Sequence, residues 1–251
     1  MLEYICTVVT GGGAVSISEG LYKTFIKDDR YKMFLTGLGS TLILSLLAAV
    51  IGLAIGVAVC LMKVSNVPSF TVGKRRVRVV RPLAWLANAY IDVIRGTPAV
   101  VQLLIIYFII FARSNLHSII IAAIAFGINS GAYVAEIIRA GIFSIDPGQT
   151  EAGRSLGMSG ARTMRFIVLP QAVKNILPAL VNEFVVLIKE TAIAGYIGIS
   201  DLTKAAYSIQ SLTYDYLYPL VSLAIIYYII VKSLAVLMGR LEKNLRKSEV
   251  R

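Results

Sequence analysis

Histidine is nearly missing from this chain: there is one, His117, in 251 residues. That argues against a histidine-built metal centre, which draws on several imidazoles. Cysteine is almost as scarce. Cys6 and Cys60 make no disulfide framework, and Cys60 stands in an apolar run where it reads as a small hydrophobic filler. Catalytic signatures are missing too: there is no HExxH, no GxSxG, and no pair of acids with a histidine at useful spacing. Gly73-Lys74 is not a phosphate-binding loop, because no glycine precedes it at the required spacing and Arg75 replaces the Ser/Thr. The N-terminus lacks the basic region and apolar core of a cleavable signal.

Charge is thin as well. Only 16% of residues are Asp, Glu, Lys or Arg, 57% are hydrophobic, and the mean hydropathy is +0.76. A soluble domain of this length carries more charge and less continuous apolar sequence. The composition therefore predicts a polytopic membrane protein, a single transmembrane domain with no soluble domain of its own. The net charge of +11 is read as orientation, since basic loops stay cytoplasmic. Nucleic-acid binding would need a basic face with stacking aromatics on a soluble module, and none is present. The tyrosines read as interface anchors and pore lining.

One polar interruption, residues 146–170, divides the apolar sequence. It reads DPGQTEAGRSLGMSGARTMRFIVLP and carries Asp146, Glu151, Arg154, Arg162 and Arg165. Its pattern is helical. Asp146 is a good N-cap, Pro147 suits the first helical position, and Gln149 falls where a capping box wants it. Gly157 supplies a stop, because glycine takes the left-handed conformation at little cost. A second short helix starts near Ser159 and is expected to end by Leu169, ahead of Pro170. The reading is a compact helix-turn-helix between two spans, with a charged face open to a partner.

Glu151-Ala152-Gly153, then Gly157, then Ile167-Val168-Leu169-Pro170 resemble the EAA loop of ABC-importer permeases. Gly153 departs from that family's usual alanine. Two further stretches narrow the resemblance to the polar-amino-acid branch: Arg95-Gly96-Thr97-Pro98 followed by Val101-Gln102-Leu103, and the run from Asn129 to Arg139, NSGAYVAEIIR. The resemblance implies a type I ABC-importer transmembrane domain without a cofactor of its own. It also implies that the loop is a coupling helix docking on a cytoplasmic ATPase through Gln149, Thr150, Glu151, Ala152, Arg154, Ser155, Leu156 and Gly157. It further implies a second permease copy or a paralogue, an extracytoplasmic substrate-binding protein, a polar amino acid as solute, and a bacterial inner membrane as location.

Read in order, residues 1–32 form an N-terminal segment, with a loop at Gly11-Gly12-Gly13 and an expected surface helix over residues 18–32. The transmembrane domain, residues 33–251, is expected to hold five spans. Residues 41–62 make the first, uncharged and long enough for a hydrocarbon core of about 30 Å; its Gly52 and Gly56 form a GxxxG pair that is either a helix contact or mere membrane composition. A basic connector, residues 66–81, holds Pro68, Gly73, Lys74, Arg75, Arg76, Arg78 and Arg81, placed against anionic lipid. The second span, residues 83–112, is expected to kink at Pro98, with Asp92 and Arg95 three apart and able to pair.

The third span, residues 119–138, sets Asn129, Tyr133 and Glu136 on one face, which should look into protein or water rather than lipid. Glu136 and Arg139 read as an interfacial ion pair. The fourth span begins after Pro170 or Pro178 and ends near Ile199, carrying Asn182, Glu183, Lys189 and Glu190. Adjacent Lys189 and Glu190 point about 100° apart and should not pair. Asn129, Tyr133, Asn182 and Glu183 are the candidate substrate contacts, although Glu183 has two readings, pairing within the protein or facing a pathway. The fifth span, residues 218–238, follows a tyrosine-rich loop and precedes a basic tail.

An outside N-terminus places the connector, the 146–170 loop and the tail together inside. Lys23, Lys27, Arg30 and Lys32 dissent, nearly neutralised by Glu19, Asp28 and Asp29. The function expected is a permease subunit importing polar amino acids, with cationic ones as the narrower reading, on energy from a separate ATPase. The rival is an ion-coupled secondary transporter using Glu183 or Glu136, whose usual internal repeat is not seen here. A scaffold would leave the intramembrane charges unexplained.

Overall fold

A computed structural model describes residues 16–64, 71–72, 75–76 and 82–247. Cys6, Gly11–Gly13, Pro68, Gly73, Lys74, Arg78, Arg81 and the last four residues of the basic tail lie outside the described residues. The described chain is helical apart from a two-residue antiparallel ladder in the connector, β1 (Thr71–Val72) with β2 (Arg75–Arg76).

A short helix, α1 (Ile17–Leu21), runs through a wide turn into an elbow where Asp28 and Asp29 take positive φ, 55° and 54°. The elbow is held by its own charges. Buried Arg30 donates to the Lys23 carbonyl at 2.8 Å and to Asp28 at 3.1 Å. Lys23 pairs with Glu19 at 2.7 Å, and Lys32 with Asp29 at 2.6 Å.

The next helix, α2 (Tyr31–Val64), is apolar around its whole circumference, so both lipid and protein can cover it. Its partner is α5 (Ser118–Phe143), whose start is capped by the lone histidine: His117 Nδ1 accepts from the Ile119 amide at 3.3 Å. The two helices approach through small residues on both sides. Gly52 and Gly56 of α2 lie against Ser130 and Val134, while Gly127 and Gly131 of α5 lie against Ile51 and Ile55. The GxxxG pair is thus a real contact, and it is reciprocal. Cys60 is buried here with Val59, Ala132 and Ala135, as a filler.

The second span is broken rather than kinked. Helices α3 (Pro82–Arg95) and α4 (Ala99–Ile105), the latter prolonged by a wide turn to Ile110, meet at 107°. Pro98 has extended backbone, φ −64° and ψ 136°, so it starts a new helix instead of continuing the old one. The interruption therefore turns the chain farther than the loss of one hydrogen bond would.

After α5 come α6 (Pro147–Ser155) and α7 (Gly160–Thr163). Contrary to the expectation that it ends by Leu169, the latter does not stop before Pro170. It passes through a wide turn, Met164–Val168, directly into α8 (Leu169–Glu190). The Leu169 amide reaches back to the Met164 carbonyl, one residue farther than in an α-helix, and Pro170 falls in the first turn, where its missing donor costs little. Pro178 lies inside α8. From Gly160 to Glu190 the backbone is one helical rod, roughly 45 Å long at 1.5 Å per residue.

A tight turn, Thr191–Ile197, closes on Gly198 at φ +83°. Helix α9 (Leu202–Thr213) follows, capped by Asp201, whose carboxylate accepts from the Thr203 and Lys204 amides at 3.0 and 3.1 Å. The last helix is α10 (Leu217–Lys247).

By length and composition α2, α5 and α10 can each cross a membrane, and the bent α3–α4 pair makes a fourth span if counted as one. The predicted fourth span, α8, carries Lys174, Glu183, Lys189 and Glu190 and is not among the helices that pass on length and composition alone.

Candidate functional site

Three helices line an open cavity of about 220 Å³. α2 contributes Leu46, Ala49 and Leu53, α5 contributes Ser130 and Val134, and α8 contributes Leu180, Glu183, Phe184 and Leu187. The walls are apolar except at one point, where Ser130 Oγ donates to Glu183 Oε1 at 2.9 Å. Glu183 Oε2 accepts no hydrogen bond among the described residues. A carboxylate with spare acceptor capacity among mostly apolar walls can take a donor from a solute.

The other candidate contacts do not converge there. Buried Asn129 instead donates through Nδ2 to Gln102 Oε1 at 2.9 Å, leaving Oδ1 without a partner among the described residues. Gln102 uses its amide to clasp the break in the second span. Nε2 donates to the Ile94 carbonyl at 2.8 Å, to the Thr97 carbonyl at 3.1 Å and to Thr97 Oγ1 at 2.6 Å. Tyr133 lies under the guanidinium of Arg95, 5.2 Å from its ring centre. The Asp92–Arg95 pair that the spacing permits is not formed among the described residues, where Arg95 lies over this ring instead. Asn182 is exposed and points away from Glu183, as adjacent residues on a helix must.

Ser130 and Gln102, the residues that hold Glu183 and Asn129, were not picked from the sequence. Their polarity in apolar helices was the available signal. The Gln102 clasp makes a prediction. Gln102→Leu removes all four bonds and strands the Asn129 amide, which should cost about 2 kcal/mol or more and appear as a lower melting temperature in detergent. An unchanged melting temperature would show that the break is held by backbone alone.

Glu136 pairs with Arg139 as expected, at 2.8 Å, and also with Lys63 of α2 at 2.6 Å. Lys189 and Glu190 form no ion pair with each other, again as expected.

Beyond the bundle, the 146–170 loop is built as a capped elbow. Asp146 Oδ1 accepts from the Gly148 amide at 2.7 Å. The Gln149 side chain does not complete a capping box; it accepts from Gln171 at 3.4 Å, joining α6 to α8. At the other end Gly157 has φ +80°; its amide reaches the Arg154 carbonyl at 3.0 Å and the Met158 amide reaches Gly153 at 3.1 Å. Those two bonds make a Schellman closure.

Gly153 alone of α6 is buried. A methyl there would come within 2.8 Å of Thr163 Cγ2 and 2.9 Å of Ile167 Cδ1, so glycine lets α6 lie tight against the rod. Gln149, Thr150, Glu151, Ala152, Arg154, Ser155, Leu156 and Gly157 are all exposed, Leu156 by 82%.

Long apolar helices, a polar point inside their core and a charged, capped helix beyond them define a membrane-embedded permease. A family model described as "Binding-protein-dependent transport system inner membrane component" matches residues 67–247. The chain belongs to that family. It is 40% identical over 217 residues to the arginine transport system permease protein ArtQ of Bacillus subtilis, covering 86% of this chain and 93% of that protein. It is 41% identical over 210 residues to a putative glutamine transport system permease protein GlnP of Rickettsia bellii, covering 82% and 89%. Among solved structures, an amino acid ABC transporter shares 45% identity at a TM-score of 0.76, with 85% of this chain and 94% of that one covered. The methionine ABC transporter MetNI in an inward-facing form shares the fold, with a TM-score of 0.72 at 17% identity.

Proposed function

We propose that this chain is the translocation subunit of an importer for polar amino acids, including cationic ones, and that a separate cytoplasmic ATPase supplies the work. The observation that carries this reading is the rod from Gly160 to Glu190. It joins the exposed α6 elbow directly to the helix that places Glu183 in the cavity. Displacing α6 moves Gly153 against Thr163 and Ile167, and so moves the rod, which stays helical through the wide turn Met164–Val168 and Pro178. Leu156, exposed beside Arg154 and Glu151, supplies an apolar knob with charged flanks for a cleft on the ATPase.

The Glu183 carboxylate then meets an ammonium or guanidinium of the solute. A second copy or a paralogue completes the pathway, and a substrate-binding protein delivers the solute from outside. The N-terminus lies outside and the tail in the cytoplasm of a bacterial inner membrane. Three of the four dissenting bases, Lys23, Arg30 and Lys32, are paired with Glu19, Asp28 and Asp29, and the orientation rests on the connector, the 146–170 loop and the tail, whose bases outnumber them.

Gly157→Val tests the lever. A β-branched residue at φ +80° costs about 1–2 kcal/mol, which loosens the Schellman closure, whereas Gly157→Asn tolerates the same conformation. Reconstituted with its ATPase and binding protein, the valine variant should hydrolyse ATP with uptake lowered several-fold, and the asparagine variant should stay near wild type. Tight coupling in both would remove the lever role. Labelling of single cysteines at positions 150–160 from the extracellular side would remove the whole reading.

A further inference from the structure

Between Lys174 and Glu190, α8 exposes only Asn175, Asn182 and Lys189. They stand seven apart, so they fall on one narrow stripe along the helix. A polar stripe at membrane depth faces water or protein rather than lipid. Past the end of α8, in the tight turn Thr191–Ile197, Tyr196 is 70% exposed. It lines a second, open cavity of about 450 Å³ with Tyr207, Thr203, Lys204 and Gly195.

The chemistry of this cavity is one-sided. Lys204 is the charged residue in its wall, and among the described residues it has no ion-pair partner. Asp201 lies behind the wall, fully buried, with its oxygens taken by the Thr203 and Lys204 amides. Burial pushes the Asp201 carboxyl up, and those amides oppose the shift. On its far side Lys204 borders a smaller cavity with Lys32, Ser200 and Ser208, and Lys32 is held by Asp29. Lys204 is thus an ammonium without a carboxylate partner among the described residues, in a wall that also holds Tyr196 and Tyr207.

We propose that this cavity is an outer subsite that receives the carboxylate end of the incoming solute on Lys204, with the aliphatic stem against Tyr196 and Tyr207. It rests on the amino-acid reading above, and it is built from the segments that follow the polar stripe of α8 in the chain. Gly195 is the floor. A side chain there would extend into the space bordered by Lys204 Cβ and Asp201 Oδ1, whose distances from an added methyl are 3.6 and 3.3 Å.

Saturation-transfer NMR on the permease in nanodiscs tests it, with L-arginine and agmatine as probes, alike except for the carboxylate. A Glu183→Gln background removes the inner cavity's contribution. L-arginine should bind and agmatine should not. Lys204→Ala should weaken L-arginine at least about tenfold, the scale of losing a charge-assisted hydrogen bond. Lys204→Arg should retain it, and Gly195→Leu, which fills the space without changing charge, should abolish it. Equal binding of agmatine, no binding of L-arginine, or indifference to both variants would overturn the subsite. Uptake by the reconstituted complex separates the two ideas: amino-acid uptake that persists when the subsite fails leaves the permease reading standing, and its absence removes both.

Discussion

Gly56→Leu should leave little folded protein in the membrane. A side chain at position 56 would overlap Val134 and come within 3.0 Å of the Ala135 backbone nitrogen. The side chain can move, but the backbone of α5 cannot move without displacing the whole seam. The neighbouring contacts are equally close: a methyl at Gly127 would lie 2.5 Å from Ile51, and one at Gly131 2.8 Å from Ile55. Over-packing where side chains can yield costs about 1–3 kcal/mol, so a clash with backbone belongs at or above the top of that range. Lipid tails are as apolar as leucine, so close packing carries helix association here and its loss has no substitute.

Gly39 on the same helix is the control, since a methyl there meets nothing within 4 Å. Gly39→Leu should elute as a single species with an unchanged melting temperature, and Gly56→Leu should aggregate. If both behave alike, the reciprocal seam does not hold the bundle together.

The second large effect is expected at Glu183. Glutamine keeps the size of the side chain and can still accept from Ser130, so Glu183→Gln should fold and melt like wild type. It should nevertheless lower uptake about ten- to hundredfold, the cost of losing a charge-assisted hydrogen bond inside the protein. The loss should be greater for lysine or arginine than for glutamine if the carboxylate meets a side-chain cation. An equal loss for all of them would place the solute's α-ammonium there instead. Wild-type kinetics with every amino acid would assign Glu183 a purely internal role with Ser130.

The fold class was legible because the bilayer imposes it. Long apolar runs can only be helices there, and the Gly157 stop, the Asp146 cap and the buried filler Cys60 all follow from local chemistry. The separation of Lys189 from Glu190 was legible for the same reason: it depends only on the helical repeat. The extent of the turn at Pro98 was not. A proline predicts an interruption, and whether the chain kinks or turns through 107° depends on what holds the far side, here the Gln102 clasp. Pro170 misled in the other direction, because a wide turn before it absorbed the missing hydrogen bond and let the rod continue.

By itself, then, the sequence determined a multi-span helical protein with a capped, charged elbow, since hydropathy, caps and turns are properties of neighbouring residues. Only the tertiary structure decided which polar groups meet. Asn129 goes to Gln102, Tyr133 to Arg95, and Glu183 to Ser130, fifty-three residues away. Those pairings depend on how α3, α4 and α8 dock against α5, and no local pattern encodes the rotation of one helix against another.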